Sequence, residues 1–243
     1  MLKDYAAAAD IYQRLLDLPT VATDDLLLRL GRAAKLAGLD QTVGTPLFSA
    51  AVGDVDRDGF VDLCFTRGRS GPPALWRNRG DGRFEELIEA AGSGVAAVHC
   101  SRGCAFGDFD NDGLPDLYLT GWGASRLFHN QGGGHFADVT ASSGARNGDD
   151  FSVSATFIDY DRDGWLDLYV GNNISYRLDQ EHVCPNPAGA RDYCPPQVYG
   201  PTRDRLFHND GRGHFTDVTA ALRGLTSKPA LGVVALDADG DGW

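Results

Sequence analysis

The segment DVDRDGFVD at residues 54–62 is the first of four copies of one acidic phrase. The other copies are DFDNDGLPD at 108–116, DYDRDGWLD at 159–167 and DADGDGW at 237–243, where the chain stops before the ninth position. We name these segments loops 1 to 4. Four carboxylates within nine residues repel one another unless a cation lies among them. The phrase therefore predicts a loop that holds a hard divalent ion.

The spacing of the acidic residues fits calcium, which takes about six to eight oxygen ligands. Side chains at positions 1, 3 and 5 point at one centre if the backbone curls, and the glycine at position 6 tolerates the positive φ of such a curl. Position 7 then offers its carbonyl, and the aspartate at position 9 closes the cage. The predicted ligands are Asp54, Asp56, Asp58, Phe60 and Asp62 in loop 1, Asp108, Asp110, Asp112, Leu114 and Asp116 in loop 2, Asp159, Asp161, Asp163, Trp165 and Asp167 in loop 3, and Asp237, Asp239 and Asp241 in loop 4, where Trp243 is the truncated position 7.

Two alternatives stay open for these loops. Asp and Gly favour solvated turns without any ion, and the loop sequence alone does not separate calcium from magnesium or manganese. The loop also begins like an EF-hand, but an EF-hand has Glu at position 12 and a helix on each side. Here short β-branched and aromatic runs flank the loops, such as Ser49–Val52 and Leu63–Thr66 around loop 1. These runs predict a strand on each side of the ion.

A second shared phrase follows each of the first three loops. It reads LWRNRGDGRF at 75–84, LFHNQGGGHF at 127–136 and LFHNDGRGHF at 206–215, and it predicts a β-hairpin with a glycine-rich turn. Each repeat then holds four strands. The repeat length is 54 residues from Asp54 to Asp108, 51 from Asp108 to Asp159 and 78 from Asp159 to Asp237, so the third repeat carries an insertion. A four-stranded unit of this length is typical of a propeller blade.

These repeats resemble FG-GAP/VCBS repeats, the blades of integrin-α-type propellers. The phrases CAFGDFDNDG at 104–113 and DRLFHNDG at 204–211 are most similar to the ASPIC/UnbV and cartilage-acidic-protein group. The resemblance covers about residues 44–243 and implies a seven-bladed propeller whose acidic loops bind calcium. Two features of that family are missing, since fewer than seven repeats and no C-terminal ASPIC/UnbV segment occur here.

The expected fold is mainly β: a partial β-propeller of three four-stranded blades plus the start of a fourth, preceded by an α-helical hairpin. The blades are placed at about 48–98, 99–149, 150–228 and 229–243, within a 44–243 propeller region. Three blades and a stub leave strand edges open, so we expect a fragment of a longer protein. Residues 1–43 carry apolar residues at helical spacing on both sides of Pro19. They predict either the last unit of a tetratricopeptide-like array or an ordinary helical hairpin.

Net charge restricts the class of partner. The formal charge is −12, but the four loops hold fifteen aspartates, and outside them 19 acidic residues face 22 Lys and Arg. The acidity is therefore that of the ion loops. Without a basic stripe, nucleic acid is an unexpected partner. No apolar run is long enough to span a membrane, and no signal peptide is recognisable, so a leader would lie outside this chain.

Cysteines and histidines suggest little further chemistry. Cys184 and Cys194 lie in the proline-rich insertion, where a disulfide is the preferred interpretation, with free thiols or a zinc pair with His182 as alternatives. Cys100 and Cys104 either pair or are small core residues, and Cys64 is expected to pack in the core. The histidines recur at fixed repeat positions, as His129 and His208 do, which indicates packing or hydrogen bonding in the hairpin rather than catalysis.

The function expected from the sequence is a calcium-binding interaction module. Its calcium is structural, its partner is a protein or a glycan, and its location is extracellular, periplasmic or at the cell surface. No catalytic residue is predicted, and the chain is expected not to be an enzyme. The alternative is a lyase or hydrolase acting on polysaccharides, with candidate residues Arg191, Asp192 and Tyr193 in the insertion. A third possibility is that the helical start binds a partner peptide and the propeller is a scaffold.

Overall fold

The computed structural model describes residues 47–68, 71–87, 93–98, 100–123, 125–176, 182–192, 194–195, 198–200, 202–223 and 228–236. The predicted helical hairpin at 1–43 and loop 4 at 237–243 lie outside these residues. Within them, three four-stranded antiparallel sheets follow one another along the chain. The four-strand prediction for each repeat is thereby confirmed.

Each sheet is formed by strands that are consecutive in the chain, apart from the insertion. Sheet 1 contains β1 (Ser49–Gly53), β2 (Asp62–Thr66), β3 (Ala74–Asn78) and β4 (Phe84–Glu86), and sheet 2 contains β5 (Ser101–Gly107), β6 (Asp116–Gly121), β7 (Arg126–Asn130) and β8 (Phe136–Asp138). Sheet 3 contains β9 (Ser152–Ile158), β10 (Asp167–Asn172), β13 (Arg205–Asn209) and β14 (Phe215–Asp217). The short elements are α1 (Ser93–Ala96), α2 (Thr140–Ser143), the insertion's hairpin of β11 (Cys184–Pro185) and β12 (Arg191–Asp192), and a 3₁₀ turn at Thr219–Ala221.

The sheets pack against each other through apolar faces. One buried cluster joins sheets 1 and 2 and contains Cys64, Leu75, Leu117 and Phe128. A second cluster joins sheets 2 and 3 and contains Tyr118, Leu127, Leu168 and Phe207. Because side chains alternate along a strand, neighbours such as Leu117 and Tyr118 fall in different clusters. Sheet 2 is therefore apolar on both faces, as its fully buried strand β6 indicates.

The first strands of the three sheets lie side by side, with β5 in contact with β1 on one side and β9 on the other. Glycine permits this approach at the end of the strand. A Cβ atom at Gly107 would lie 2.5 Å from the ring of Phe157, and one at Gly53 would lie 3.2 Å from the ring of Phe106. This arrangement resembles the order of propeller blades, although the described sheets do not close into a ring and the propeller stays a prediction.

The insertion between β10 and β13 is held by a disulfide between Cys184 and Cys194, which confirms the preferred interpretation of this pair. Cys64, Cys100 and Cys104 are free thiols, so Cys100 and Cys104 do not pair. Cys64 and Cys104 are both buried in the cluster between sheets 1 and 2, in line with the expected packing role of Cys64. Among the described residues, no helix is long and apolar enough to cross a membrane.

Replacement of Phe128 by alanine tests the packing between sheets 1 and 2. The Phe128 side chain is fully buried, so its truncation removes transfer free energy and leaves a cavity. The expected loss is about 3–5 kcal/mol in the free energy of unfolding, measured by urea denaturation. Val183, which is 69% exposed, supplies the control: Val183→Ala should change stability by less than about 0.5 kcal/mol. Equal effects of the two substitutions would contradict this packing.

Candidate metal centres

Each of the first three acidic phrases connects the first and second strands of its sheet, as predicted. The structure brings the acidic residues of positions 1, 3 and 5 together, with one carboxylate oxygen from each lying within 4.8 Å of the others. The three groups are Asp54, Asp56 and Asp58; Asp108, Asp110 and Asp112; and Asp159, Asp161 and Asp163. Three of the four predicted loops are thus acidic clusters, and loop 4 lies outside the described residues.

Two residues in each described loop have left-handed backbone conformations. Position 6 is glycine, with φ of 86° at Gly59, 85° at Gly113 and 89° at Gly164. This is the curl that the sequence predicts. Position 4 also has positive φ, although it is not glycine: φ is 60° at Arg57, 56° at Asn111 and 68° at Arg162. The sequence does not predict the left-handed φ at Arg57 and Arg162, because arginine carries no signal for such a conformation.

The carboxylate at position 1 organises the curl by accepting backbone hydrogen bonds. Asp108 accepts from the N–H of Asp112 at 3.1 Å and from that of Gly113 at 2.7 Å. Asp54 and Asp159 accept the same pair of bonds in loops 1 and 3. The position-1 side chain therefore closes the loop by binding the backbone four and five residues further along the chain.

The aspartate at position 9 connects the loop to the hairpin of the same sheet. Asp62, Asp116 and Asp167 have no exposed surface. Asp116 accepts the N–H of Phe109, at position 2 of its loop, at 3.1 Å and the N–H of Asn130, at the end of β7, at 2.8 Å. Asp62 and Asp167 make the equivalent bonds. The sequence predicts these aspartates as ion ligands but does not indicate the hairpin asparagine that each of them binds.

A cationic or imidazole side chain faces position 3 in every described loop. Arg77 lies 2.5 Å from Asp56 in loop 1. The equivalent histidines lie nearby in the other two loops, with His129 Nδ1 3.4 Å from Asp110 and His208 Nδ1 3.2 Å from Asp161. Each histidine also contacts its position-9 aspartate, at 3.1 Å and 3.2 Å. The hydrogen-bonding role predicted for the repeated histidines is thus located at the acidic loop. His129 lies in β7 and His208 in β13, and each of these strands pairs with the strand that leaves the loop.

Burial raises the pKa of the carboxyl groups at position 9. The pKa of Asp62 rises from 3.8 to about 6 and that of Asp116 to about 7, because desolvation outweighs the backbone hydrogen bonds that favour the ionised form. The pKa of Asp167 is raised for the same reason. Desolvation and the neighbouring aspartates also raise the pKa of Asp56 and Asp110 at position 3. The loops therefore hold more negative charge than their own surroundings stabilise.

The donor set fits a hard divalent cation. All predicted side-chain ligands are carboxylates, the donors that calcium and magnesium prefer, and no cysteine lies among them. The buried atom Asp56 Oδ2 accepts no hydrogen bond, although it is close to Arg77. Positions 1, 3 and 5 would hold the ion, with position 9 next to position 3. Coordination by the carbonyls of position 7 and by the position-9 carboxylates stays a prediction.

The raised pKa values predict how stability depends on pH when a chelator removes divalent cations. Asp62 and Asp116 bind protons more tightly in the folded chain than in the unfolded chain, where their pKa is near 3.8. Their contribution to stability is therefore complete below about pH 4 and is lost as pH rises through about 6 to 7. Thermal melting in EDTA across this pH range should show a smaller loss of stability for Asp116→Asn than for the parent chain. Asp149→Asn, at an exposed carboxylate, should leave the profile unchanged. Identical profiles for all three proteins would contradict the burial effect.

Comparison with known proteins agrees with these repeats. The model of the FG-GAP-like repeat family matches residues 54–119 and 108–170. Cartilage acidic protein 1 of Xenopus tropicalis is 28% identical over 224 residues, which cover 89% of this chain and 30% of that protein. The Mus musculus protein is 28% identical over 207 residues, covering 78% of this chain and 30% of the relative. The Homo sapiens protein is 29% identical over 174 residues, covering 70% and 23%.

The chain thus spans less than a third of the length of these curated relatives. Among solved structures, a lectin from Agrocybe aegerita that recognises non-reducing terminal N-acetylglucosamine aligns with a TM-score of 0.38 and 18% identity, covering 68% of this chain and 36% of the lectin. The acidic loops and the four-stranded sheets agree with these sequence matches: residues 54–170 match the FG-GAP-like repeat family, and the chain is similar to cartilage acidic protein 1.

Proposed function

We propose that this chain is a calcium-stabilised β-repeat module that binds a protein or glycan partner outside the cell. The observation that carries the proposal is the threefold recurrence of one carboxylate cluster, at one place in three consecutive sheets. A single acidic turn has an ordinary explanation as a solvated loop. Recurrence of the cluster together with its left-handed residues and buried position-9 aspartate favours a common ligand.

Calcium in such a loop has a structural role. The ion supplies positive charge that offsets the repulsion among the carboxylates of positions 1, 3 and 5. Because the unfolded chain does not hold these oxygens together, the ion binds the folded form and stabilises it by linkage. The position-9 aspartate carries this effect into the sheet, since its carboxylate bonds both the loop and the hairpin.

The disulfide supports a location outside the cytosol. Cys184 and Cys194 are joined across ten residues of the insertion, and disulfides persist in oxidising compartments. Short exposed calcium loops of extracellular modules have affinities of roughly 10⁻⁴–10⁻³ M, which suits extracellular calcium. Secretion, the periplasm and the cell surface all satisfy these two conditions.

An aromatic cluster supports a partner site away from the acidic loops. The rings of Trp122 and Tyr176 are 5.4 Å apart, those of Tyr176 and Tyr199 are 5.5 Å apart, and His182 lies 5.1 Å from Tyr199. Trp122 follows β6 and Tyr176 follows β10, so the cluster lies at the strand ends opposite loops 2 and 3. Partly exposed aromatic rings are frequent in partner-binding surfaces. These rings are compatible with a protein or a glycan.

Replacement of Asp161 by alanine tests the role of loop 3. It should weaken calcium binding and remove the part of the thermal stability that calcium supplies, because position 3 loses its ligand. At calcium concentrations of about 100 times the dissociation constant, one occupied site contributes about 2.7 kcal/mol. Calorimetric titration and thermal melting with and without EDTA measure both effects.

The matched control is Asp149→Ala, at an exposed carboxylate outside the loops. It should leave calcium affinity and calcium-dependent stability unchanged. In EDTA, Asp161→Ala should melt close to the parent chain. An equal loss of stability by Asp161→Ala with and without calcium would show that the loop is only a turn.

The proposal also expects no catalytic turnover. Arg191 and Asp192 are exposed on the insertion's hairpin, and they are the described candidates for a polysaccharide-acting enzyme. Screening against acidic and neutral polysaccharides should detect no new reducing ends and no unsaturated sugars. Cleavage would favour the enzyme alternative over the interaction module if Arg191→Ala or Asp192→Ala abolished it. The control variant Val183→Ala should then retain the cleavage.

A further inference from the structure

We propose that Arg57 and Asn111 are positioning residues that couple neighbouring metal sites, so that an occupied loop raises the cation affinity of the next. The inference rests on the proposed function, because it requires that the loops bind a cation. It adds that the sites do not bind independently, because the cation affinity of one loop depends on whether the neighbouring loop is occupied.

Position 4 of loops 1 and 2 connects to the following loop. Arg57, in loop 1, donates from Nε to the carbonyl oxygen of Gly113 at 2.7 Å, and its NH2 group donates to the carbonyl oxygen of Asp112. Asn111, in loop 2, donates from Nδ2 to the carbonyl oxygen of Gly164 at 3.0 Å. Both side chains therefore bind the position-6 glycine of the next loop. The left-handed φ at position 4 accompanies the orientation of these side chains toward the next loop.

A second set of links runs in the opposite direction. Asn130 Nδ2, in sheet 2, donates to the carbonyl oxygen of Val55 in loop 1 at 2.8 Å. Asn209 Nδ2, in sheet 3, donates to that of Phe109 in loop 2 at 2.7 Å. Both asparagines are fully buried, and their own N–H groups bind Asp116 and Asp167. Adjacent loops are thus joined by an exposed link at position 4 and by a buried link at position 2.

The exposed link acts on a peptide unit that orients a predicted ligand. Gly113 supplies the carbonyl that Arg57 binds, and the same peptide unit ends in the N–H of Leu114, which donates to Asp112 Oδ1 at 2.7 Å. In loop 3, the Gly164 carbonyl lies in the peptide unit whose Trp165 N–H donates to Asp163 Oδ1 at 2.9 Å.

An ordered position 4 in one loop consequently restricts the position-5 carboxylate of the next. Binding that orders the first loop reduces the entropy cost of ordering its neighbour, which is a positive coupling between the two sites.

The link between loops 2 and 3 isolates this mechanism from charge. Asn111 is neutral, whereas Arg57 adds a positive charge beside loop 2 and opposes a cation there. Two bound cations also repel each other, but the loops are exposed and salt screens that repulsion. The pair formed by loops 2 and 3 is therefore the sharper test.

The experiment uses Tb³⁺ as the probe and the full chain. Trp165 lies at position 7 of loop 3, so indole-sensitised Tb³⁺ emission reports that loop, and Trp165→Leu identifies its signal. Trp243, at position 7 of loop 4, is replaced by leucine in every variant. Asp110→Asn weakens loop 2. Asn111→Gly removes the link but retains the left-handed φ, and glycine already stands at position 4 of loop 4, as Gly240.

Four proteins complete the cycle: the parent, Asp110→Asn, Asn111→Gly and the double variant. We expect Asp110→Asn to weaken Tb³⁺ binding at loop 3 by about tenfold when Asn111 is present, within the usual range of coupling between sites. In the Asn111→Gly background, the same substitution should change the affinity by less than about twofold. Melting in EDTA checks that all four proteins fold.

Three results would overturn the coupling. The first is an unchanged loop-3 affinity in Asp110→Asn, and the second is an equal loss with and without Asn111. The third is the absence of sensitised binding in the parent, which would also end the proposed function and is distinct from the other two. If Asn111→Gly does not fold, Leu114→Trp with Trp165→Leu moves the reporter to loop 2. Asp56→Asn then weakens loop 1, and Arg57→Gly tests the first link by the same comparison.

Discussion

The structure depends on buried hydrogen bonds between the acidic loops and the hairpin asparagines. Asn130 and Asn209 each bind the position-9 aspartate of their own sheet through the backbone and a carbonyl of the preceding loop through the side chain. An unsatisfied buried polar group costs about 1–3 kcal/mol, so these residues require loop, hairpin and neighbouring sheet to assemble together. The asparagine of each repeat thereby sets the spacing between its own sheet and the preceding one.

This constraint has a consequence for charge. The position-9 carboxylates are buried where they accept the hydrogen bond of the asparagine N–H. This burial raises the pKa of Asp62 and Asp116. Arg77 offsets part of the negative charge at position 3 of loop 1, and His129 and His208 lie at the same place in the other two loops. The cation of the proposed function would offset more of this charge, since it would contact several carboxylates at once. In loops 2 and 3 the buried position-9 aspartate lies beside the position-3 aspartate of that proposed site.

The two ends of the strands have separate properties. One end carries the repeated acidic loops, of which loops 1 to 3 share the aspartates of positions 1, 3, 5 and 9 and the glycine of position 6. The other end carries the disulfide-held insertion and the aromatic rings of Trp122, Tyr176 and Tyr199. A repeat protein can in this way keep its stabilising sites constant and vary its contact surface, because the sheet separates them.

The sequence alone determined the repeat, the four strands of each unit and the acidic loops between strands, and it favoured the Cys184–Cys194 pair. These features are local, since alternation, turn residues and aspartate spacing report the backbone within a few residues. Loop 4 and the helical hairpin at 1–43 remain predictions. Tertiary structure decided that Asp116 and Asn130 meet in a buried site, that His129 faces Asp110, and that Arg57 and Asn111 reach the next loop. Those contacts join residues from 14 to 56 positions apart along separate strands or sheets, and no periodic pattern encodes which distant partner a polar side chain will find.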